Sequence, residues 1–215
     1  MHPYKIAIAQ KLKGHDFENC TKLCRYLLNV RVTDIVCFSD EAHFHLSGTV
    51  NKQNFLYWSE GNPRKHHQRA AHDPKVRVWC VVFNFGVLGP YFFEEDDVTA
   101  TVNRDRYCAM LQNFFYLQLG EIFNGQHGAD NVWFQQDDTT AHTSRHFLSL
   151  LREMFPGHVI SLRGDIGWQP HSPDLTPCDI FLWDYLKANV NKQRPVTLEA
   201  VAAITPEMTL KVMDN

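Results

Sequence analysis

The chain lacks any apolar run near the roughly 18 residues that a membrane-spanning helix requires. Its opening, Met1-His2-Pro3-Tyr4-Lys5, lacks the apolar stretch of a secretory signal. A soluble, intracellular protein with no membrane partner is the expectation. Zinc-type spacing is missing as well. Of Cys20, Cys24, Cys37, Cys80, Cys108 and Cys178, only the first two lie close together, and no second pair follows. Most are flanked by apolar residues, as in Val36-Cys37-Phe38, which predicts buried free thiols in a reducing compartment. His66-His67 and the His142/His146 pair lack the glutamate of an H-E-x-x-H zinc motif. Positive charge is scarce: the formal net charge is −3. That argues against a strong autonomous nucleic-acid binder, because phosphate neutralisation needs clustered Lys and Arg. The argument weakens if the active site is itself acidic, or if a separate basic module supplies the affinity. Internal repeats and low-complexity tracts are also absent.

What is present suits one packed α/β domain. Hydrophobic residues make up 44% and charged residues 21% of 215 positions, enough apolar surface for a core. The first 30 residues are polar and helical in character, with Phe17, Leu23, Leu27 and Leu28 roughly on one face. Asp34 to Asp40 reads as a buried strand; His43-Phe44-His45-Leu46 alternates ahead of a Ser47-Gly48 turn signal, which makes a hairpin partner plausible. Asn54 to Trp58 reads as another short strand, and Val76 to Phe85 as a central strand covered on both faces. Tyr91-Phe92-Phe93 begins the next. From Asn103 the period changes: Tyr107, Met110, Leu111 and Phe114 mark an amphipathic helix. Asn131 to Asp137 is strand-like. Phe147, Leu150, Leu151 and Met154 form a second helical stripe, and Val159 to Leu162 a short strand. The last clear helix has Thr176 as N-cap, Pro177 at its first position and Asp179 at its third. The expected divisions are a helical lead-in over 1–33, an α/β domain over 34–195 and a tail over 196–215.

Three carboxylates fall where chemistry in such folds gathers. Asp40 is expected to end the first buried strand, Asp137 to end the strand after the first long helix, and Asp179 to occupy the first turn of a late helix. Two parallel strands with adjacent carboxyl ends would bring Asp40 and Asp137 together, at the edge where open α/β sheets bind ligands. A helix across that edge would add Asp179. Clustered carboxylates repel and raise one another's pKa, and a divalent cation relieves the repulsion. An all-oxygen donor set suits Mg²⁺ or Mn²⁺ rather than zinc. Spacing alone leaves blander readings open: Asp179 as a capping residue, Asp137-Asp138 as a strand-end turn, Asp40-Glu41 as a solvated strand end.

The strings around these acids carry a resemblance. Phe38-Ser39-Asp40-Glu41-Ala42-His43-Phe44 resembles the first catalytic block of mariner-type transposases. Val78-Trp79-Cys80, Gly89-Pro90-Tyr91-Phe92-Phe93 and Val102-Asn103-Arg104-Asp105-Arg106-Tyr107 look like the connecting blocks. Gln135-Gln136-Asp137 with Ala141-His142-Thr143 resembles the second catalytic block. Ser172-Pro173-Asp174-Leu175-Thr176-Pro177-Cys178-Asp179, followed by Phe181-Leu182-Trp183, resembles the third. The blocks occur in the family's order over roughly residues 34–190.

The resemblance implies a ribonuclease H-like fold, with a central mixed five-stranded sheet flanked by helices. It also implies catalytic and metal-binding roles for Asp40, Asp137 and Asp179 around two Mg²⁺ or Mn²⁺ ions. The implied activity is cleavage of transposon-end DNA and strand transfer into target DNA, in the nucleus, by a homodimer, with no small-molecule cofactor. By the same analogy His142 lies near the site. Expected nucleic-acid contacts are Arg64, Lys65, Arg69, Lys75, His142 and His171.

Departures from the family pattern are visible too. Asp40 comes too early for the usual paired helix-turn-helix modules to precede it. Asp138 stands where the family has Gly or Asn, and Trp168-Gln169-Pro170-His171 replaces Trp-Pro-Pro-Arg. Thr197 to Asn215 looks shortened. The sequence therefore predicts that the fold and the three acids survive while complete transposition does not. The alternative expectation is an impaired remnant that binds nucleic acid or a partner protein only.

Overall fold

The computed structural model describes residues 14–31, 33–47, 74–95, 98–122, 131–137, 145–168 and 175–213. Its strands, in chain order, are β1 (Ile35–His45), β2 (Lys75–Phe83), β3 (Gly86–Phe92), β4 (Glu94–Glu95), β5 (Val98–Thr99), β6 (Val132–Gln135), β7 (Val159–Ser161) and β8 (Ile166–Gly167). Six of them form one sheet in the order β3-β2-β1-β6-β7-β8, and β4 pairs with β5 in a separate ribbon. The β3-β2-β1 half is antiparallel, while β1, β6, β7 and β8 run parallel. The sheet is mixed, as expected, with six strands rather than five. The sixth is β8, two residues long, which carries no periodicity to be read in sequence. It is held by the turn before it: the Asp165 amide donates to the Val159 carbonyl at 2.8 Å, and the Asp165 carboxylate accepts from the Val159 amide at 3.0 Å.

One strand differs from its expectation. The first strand does not end at Asp40; β1 runs unbroken from Ile35 to His45, and its antiparallel partner is β2, with Asp40 opposite Cys80. Alternation explains why. Cys37, Ser39, Ala42 and Phe44 are buried with half-buried residues between them. The polar residues at 39–41 therefore mark a functional stretch within the strand and not its end. The strand proposed at 54–58 lies outside the described residues.

Helices cover both faces, which is why β2 is apolar almost throughout. They are α1 (Gly14–Leu28), α2 (Arg104–Met110), α3 (Tyr116–Ile122), α4 (Arg145–Met154), α5 (Trp183–Lys192) and α6 (Leu198–Met213). On one face Cys37, Trp79, Val81 and Phe134 pack against Tyr107, Met110, Leu111, Phe115, Phe147 and Leu151. On the other, Ala42, Phe44, Val76, Val78 and Cys80 pack against Leu182, Trp183, Leu186 and Val190 of α5 and its approach, and against Val201 and Met208 of α6. Helix α1 caps the parallel end of that face through Leu23, against Trp133, Ile160 and Trp168. Its apolar stripe is narrower than expected, because Phe17 and Leu28 face solvent.

The α2–α3 helix starts as its sequence directs, with the Asn103 side chain accepting from the Arg106 amide at 2.9 Å. A π-helical turn at Leu111–Phe115 then joins α2 to α3. The wide turn rotates the stripe by one position. Phe115 is fully buried, whereas Phe114, the residue an α-helical period selects, is only partly so.

Gly89 is a glycine whose backbone demands it. Its φ is +114°, and an added Cβ would lie 2.9 Å from the Trp79 carbonyl oxygen, where the β2–β3 register shifts. Gly89→Ala should lower stability by about 1–3 kcal/mol, read as a drop in the urea midpoint. An unchanged midpoint would show that the bulge relaxes freely.

Candidate metal centre

The parallel pairing of β1 and β6 ends with Phe38 opposite Gln135. Asp40 and Asp137 each lie two residues beyond that last pair. Asp40, inside β1, projects on the face of Phe38, since side chains alternate along a strand. Asp137 follows the end of β6, and its charge reaches Asp40. Beneath them Ser39 points to the opposite face, and its hydroxyl donates to the Gln135 carbonyl at 2.8 Å, tying the strands together.

The third acid arrives on a helix laid over this face. The chain enters it through a π-helical turn, Cys178–Leu182, continuous with α5. Two bonds fix its approach to β1: the Cys178 thiol donates to the Phe38 carbonyl at 3.3 Å, and the Trp183 indole N–H donates to Asp40 Oδ2 at 2.6 Å. Trp183 also sets its ring edge-on to Phe44, centroids 6.3 Å apart. Asp179, Trp183 and Lys187 follow one another at four-residue steps along the helix, while Asp40, Ala42 and Phe44 follow at two-residue steps along β1. The Lys187 ammonium lies 5.9 Å from the Phe44 ring centroid.

Thr176 stands just ahead of the helical Pro177, as expected of the residue that starts this helix. Its hydroxyl donates to Asp179 Oδ2 at 2.8 Å, and its carbonyl accepts from the Ile180 amide at 3.1 Å. The hydroxyl therefore orients the acid as a hydrogen-bond donor.

The electrostatics are those of crowded acids. Burial pushes the Asp40 carboxyl up to about 7. The Asp179 and Asp137 charges push the same way, against the Trp183 indole and the Glu41 amide, which favour the ion. Asp179 stands at the exposed rim, and its carboxyl is also raised, first by desolvation and then by Asp137, with Thr176 and Lys187 opposing. The three acids from three chain segments therefore feel one another. Among the described residues, however, no three His, Cys, Asp or Glu side chains stand close enough together to hold a metal ion as they are placed.

On the opposite face of β1, Arg77 of β2 spans Glu41 at 3.3 Å and His43 at 3.1 Å. Burial, and then the guanidinium, drive the His43 pKa down to about 4. At neutral pH the ring is uncharged, and its Nε2 accepts from Arg77. Of the expected nucleic-acid contacts, Lys75 stands exposed at the first position of β2. Arg64, Lys65, Arg69, His142 and His171 lie outside the described residues, as does Asp138. Trp183 and Lys187 are not among the site residues that the sequence singles out. Their spacing from Asp179 was the signal that they share its face.

No protein-family model and no curated protein matches the chain. Solved structures do. The Mos1 transposase paired-end complex with the left transposon end superposes with a TM-score of 0.70 at 20% identity, covering 98% of this chain and 59% of that one. The Mos1 mariner transposase catalytic domain gives 0.62 at 20% identity, covering 95% and 85%. The same catalytic domain with raltegravir and Mg gives 0.61 at 20% identity, covering 94% and 85%. The chain spans about three-fifths of the Mos1 chain in the paired-end complex. What these likenesses establish is the architecture: the chain carries the ribonuclease H-like fold of a mariner-type transposase catalytic domain.

Proposed function

We propose that the chain is a transposase catalytic domain that cuts DNA strands and transfers them with the help of divalent metal ions. The observation that supports this reading is electrostatic: burial raises the Asp40 carboxyl to about 7, and the Asp179 and Asp137 charges push it the same way. Carboxylates that are desolvated and mutually repelling are the donor set that a hard cation relieves. In this reading the three acids hold Mg²⁺ or Mn²⁺, two ions in all. When bound, the ions activate the attacking water or 3′-hydroxyl and offset charge on the leaving oxygen. The chain's own part is positional: Trp183 and Thr176 fix the orientation of two carboxylates, and the β1–β6 register fixes the separation of the strands that carry two of them.

DNA as substrate, a homodimer and nuclear action belong to the same reading. It is supported by the shared fold with Mos1 chains, which were solved on transposon-end DNA and with Mn or Mg. The test is to incubate the purified chain with supercoiled plasmid and Mn²⁺ or Mg²⁺, beside the Asp40→Asn/Asp137→Asn/Asp179→Asn variant. Metal-dependent nicking by the parent, lost by at least ~100-fold in the variant, is the expected result. Equal behaviour of the two removes the enzymatic reading and leaves a fold that binds without cutting.

A further inference from the structure

We propose that the side-chain amide of Gln135 binds one internal water, at the seam between the two apolar clusters on the sheet face that carries Asp40. The site stands whether or not that face holds metal.

The case starts from where the chain puts an amide. Gln135 ends β6, beside Phe38 of β1 on one side and Ile160 of β7 on the other, and it is fully buried. Its backbone is provided for, since its carbonyl accepts from the Ser39 hydroxyl at 2.8 Å. Its side chain is not: among the described residues neither Nε2 nor Oε1 has a hydrogen-bond partner. Buried amides are nearly always bonded, because an unmet donor or acceptor keeps the full cost of leaving water. An apolar residue of the same length would avoid that cost. The glutamine therefore calls for a polar partner that the protein itself does not supply.

The surroundings fit a water. On this face Cys80, Cys178 and Leu182 belong to one apolar cluster, and Trp133, Ile160 and Trp168 to another. The strand order β2-β1-β6-β7 sets Gln135 between them. Trp133 stands two residues back on the same face, about 7 Å along the strand. Its indole N–H is also buried without a partner among the described residues. The seam thus offers three polar atoms, two donors and one acceptor, against the roughly two to four that an internal water takes. Asp40 lies two residues past Phe38 on that face, so the water is a neighbour of the acids and not of a remote core. A water turns to suit what surrounds it, so the amide stays bonded when the acids beside it move.

The first test is magnetic resonance on the ¹⁵N-labelled full chain after chelator treatment. The Gln135 amide pair is identified by its loss in Gln135→Met. In a rotating-frame experiment it should show cross-peaks to water of sign opposite to the diagonal, which mark a dipolar contact and not proton exchange. A pair with no such peak overturns the proposal.

Melting curves supply the second test. Ser39→Ala removes a bond of known partners and sets the scale, melting about 3 °C below the parent. Gln135→Met fills the space without polar ends and needs no water, so it should melt within about 1 °C of the parent. A fall as large as that of Ser39→Ala would mean that the amide bonds to protein, and would overturn the proposal. A rise of several degrees would mean a bare amide relieved by substitution, which overturns it equally.

Discussion

Asp40→Asn is expected to melt roughly 6–15 °C above the parent chain at pH 8 without metal, and to melt with it at pH 4. The reason lies in where the proton resides. An unfolded Asp40 releases its proton near 3.8, whereas the folded one holds it to about 7. Between those values the native state binds more protons than the unfolded state, so stability falls as pH rises through the window. Each pH unit there removes at most about 1.4 kcal/mol, and solvent screening at this half-buried carboxylate holds the full deficit above pH 7 to roughly 3–4 kcal/mol. Asparagine keeps an oxygen to accept from Trp183 and never ionises, so the variant escapes the whole term. Asp179, raised in the same direction, adds to the parent's deficit. Mn²⁺ in excess should restore the parent at pH 8 and do little for the variant. A difference between the two proteins that stays constant from pH 4 to pH 8 would show that Asp40 is not held against its ordinary ionisation.

The second large effect falls on Trp183. The residue is 4% exposed, packs within the core beneath the site and donates to Asp40. Trp183→Ala removes the ring from a closed environment and should cost about 3–5 kcal/mol, a fall of roughly 8–16 °C in the melting temperature. Trp183→Phe separates packing from hydrogen bonding. It keeps most of the volume facing Phe44 but loses the indole donor that favours the Asp40 anion. Its stability should therefore fall less, while the pH at which stability stops declining moves above 7. Melting curves collected from pH 4 to pH 9 give both quantities. A Trp183→Phe profile that parallels the parent's at every pH would mean that the short indole–carboxylate bond does not govern the acid.

Much of this could be read in the chain before any coordinates. Alternating burial at 35–45 and the apolar run at 76–83 identify paired strands. The stripe at 147, 151 and 154 identifies α4, with Leu148 joining the core and Leu150 only partly buried. What sequence could not supply were the departures from ideal periods. Two π-helical turns shift side chains by a position that a 3.6-residue repeat does not predict, so Phe114 was chosen for the core in place of Phe115. A continuous β1 was divided because Ser39-Asp40-Glu41 looks like the polar end of a strand. Those polar residues occur inside the strand because chemistry and tying bonds are placed there. The sequence located three acids but not their orienting partners, since a tryptophan or threonine at helical spacing looks the same whether it fills a core or holds a carboxylate.

The π-helical turn at Cys178–Leu182 also bears on how this chain can change over generations. Such a turn accommodates one residue more than an α-helical turn of the same span. Deleting one residue between Asp179 and Trp183 would let the helix close to regular pitch, because the wide turn is what accommodates that residue. Leu186 and Val190 would stay seated. Asp179, Trp183 and Lys187 would then stand three and seven residues apart, which keeps them near one α-helical face. A lineage that lost such a residue would keep both its shape and the direction of its third carboxylate, so these five positions hold a spare residue as a loop does.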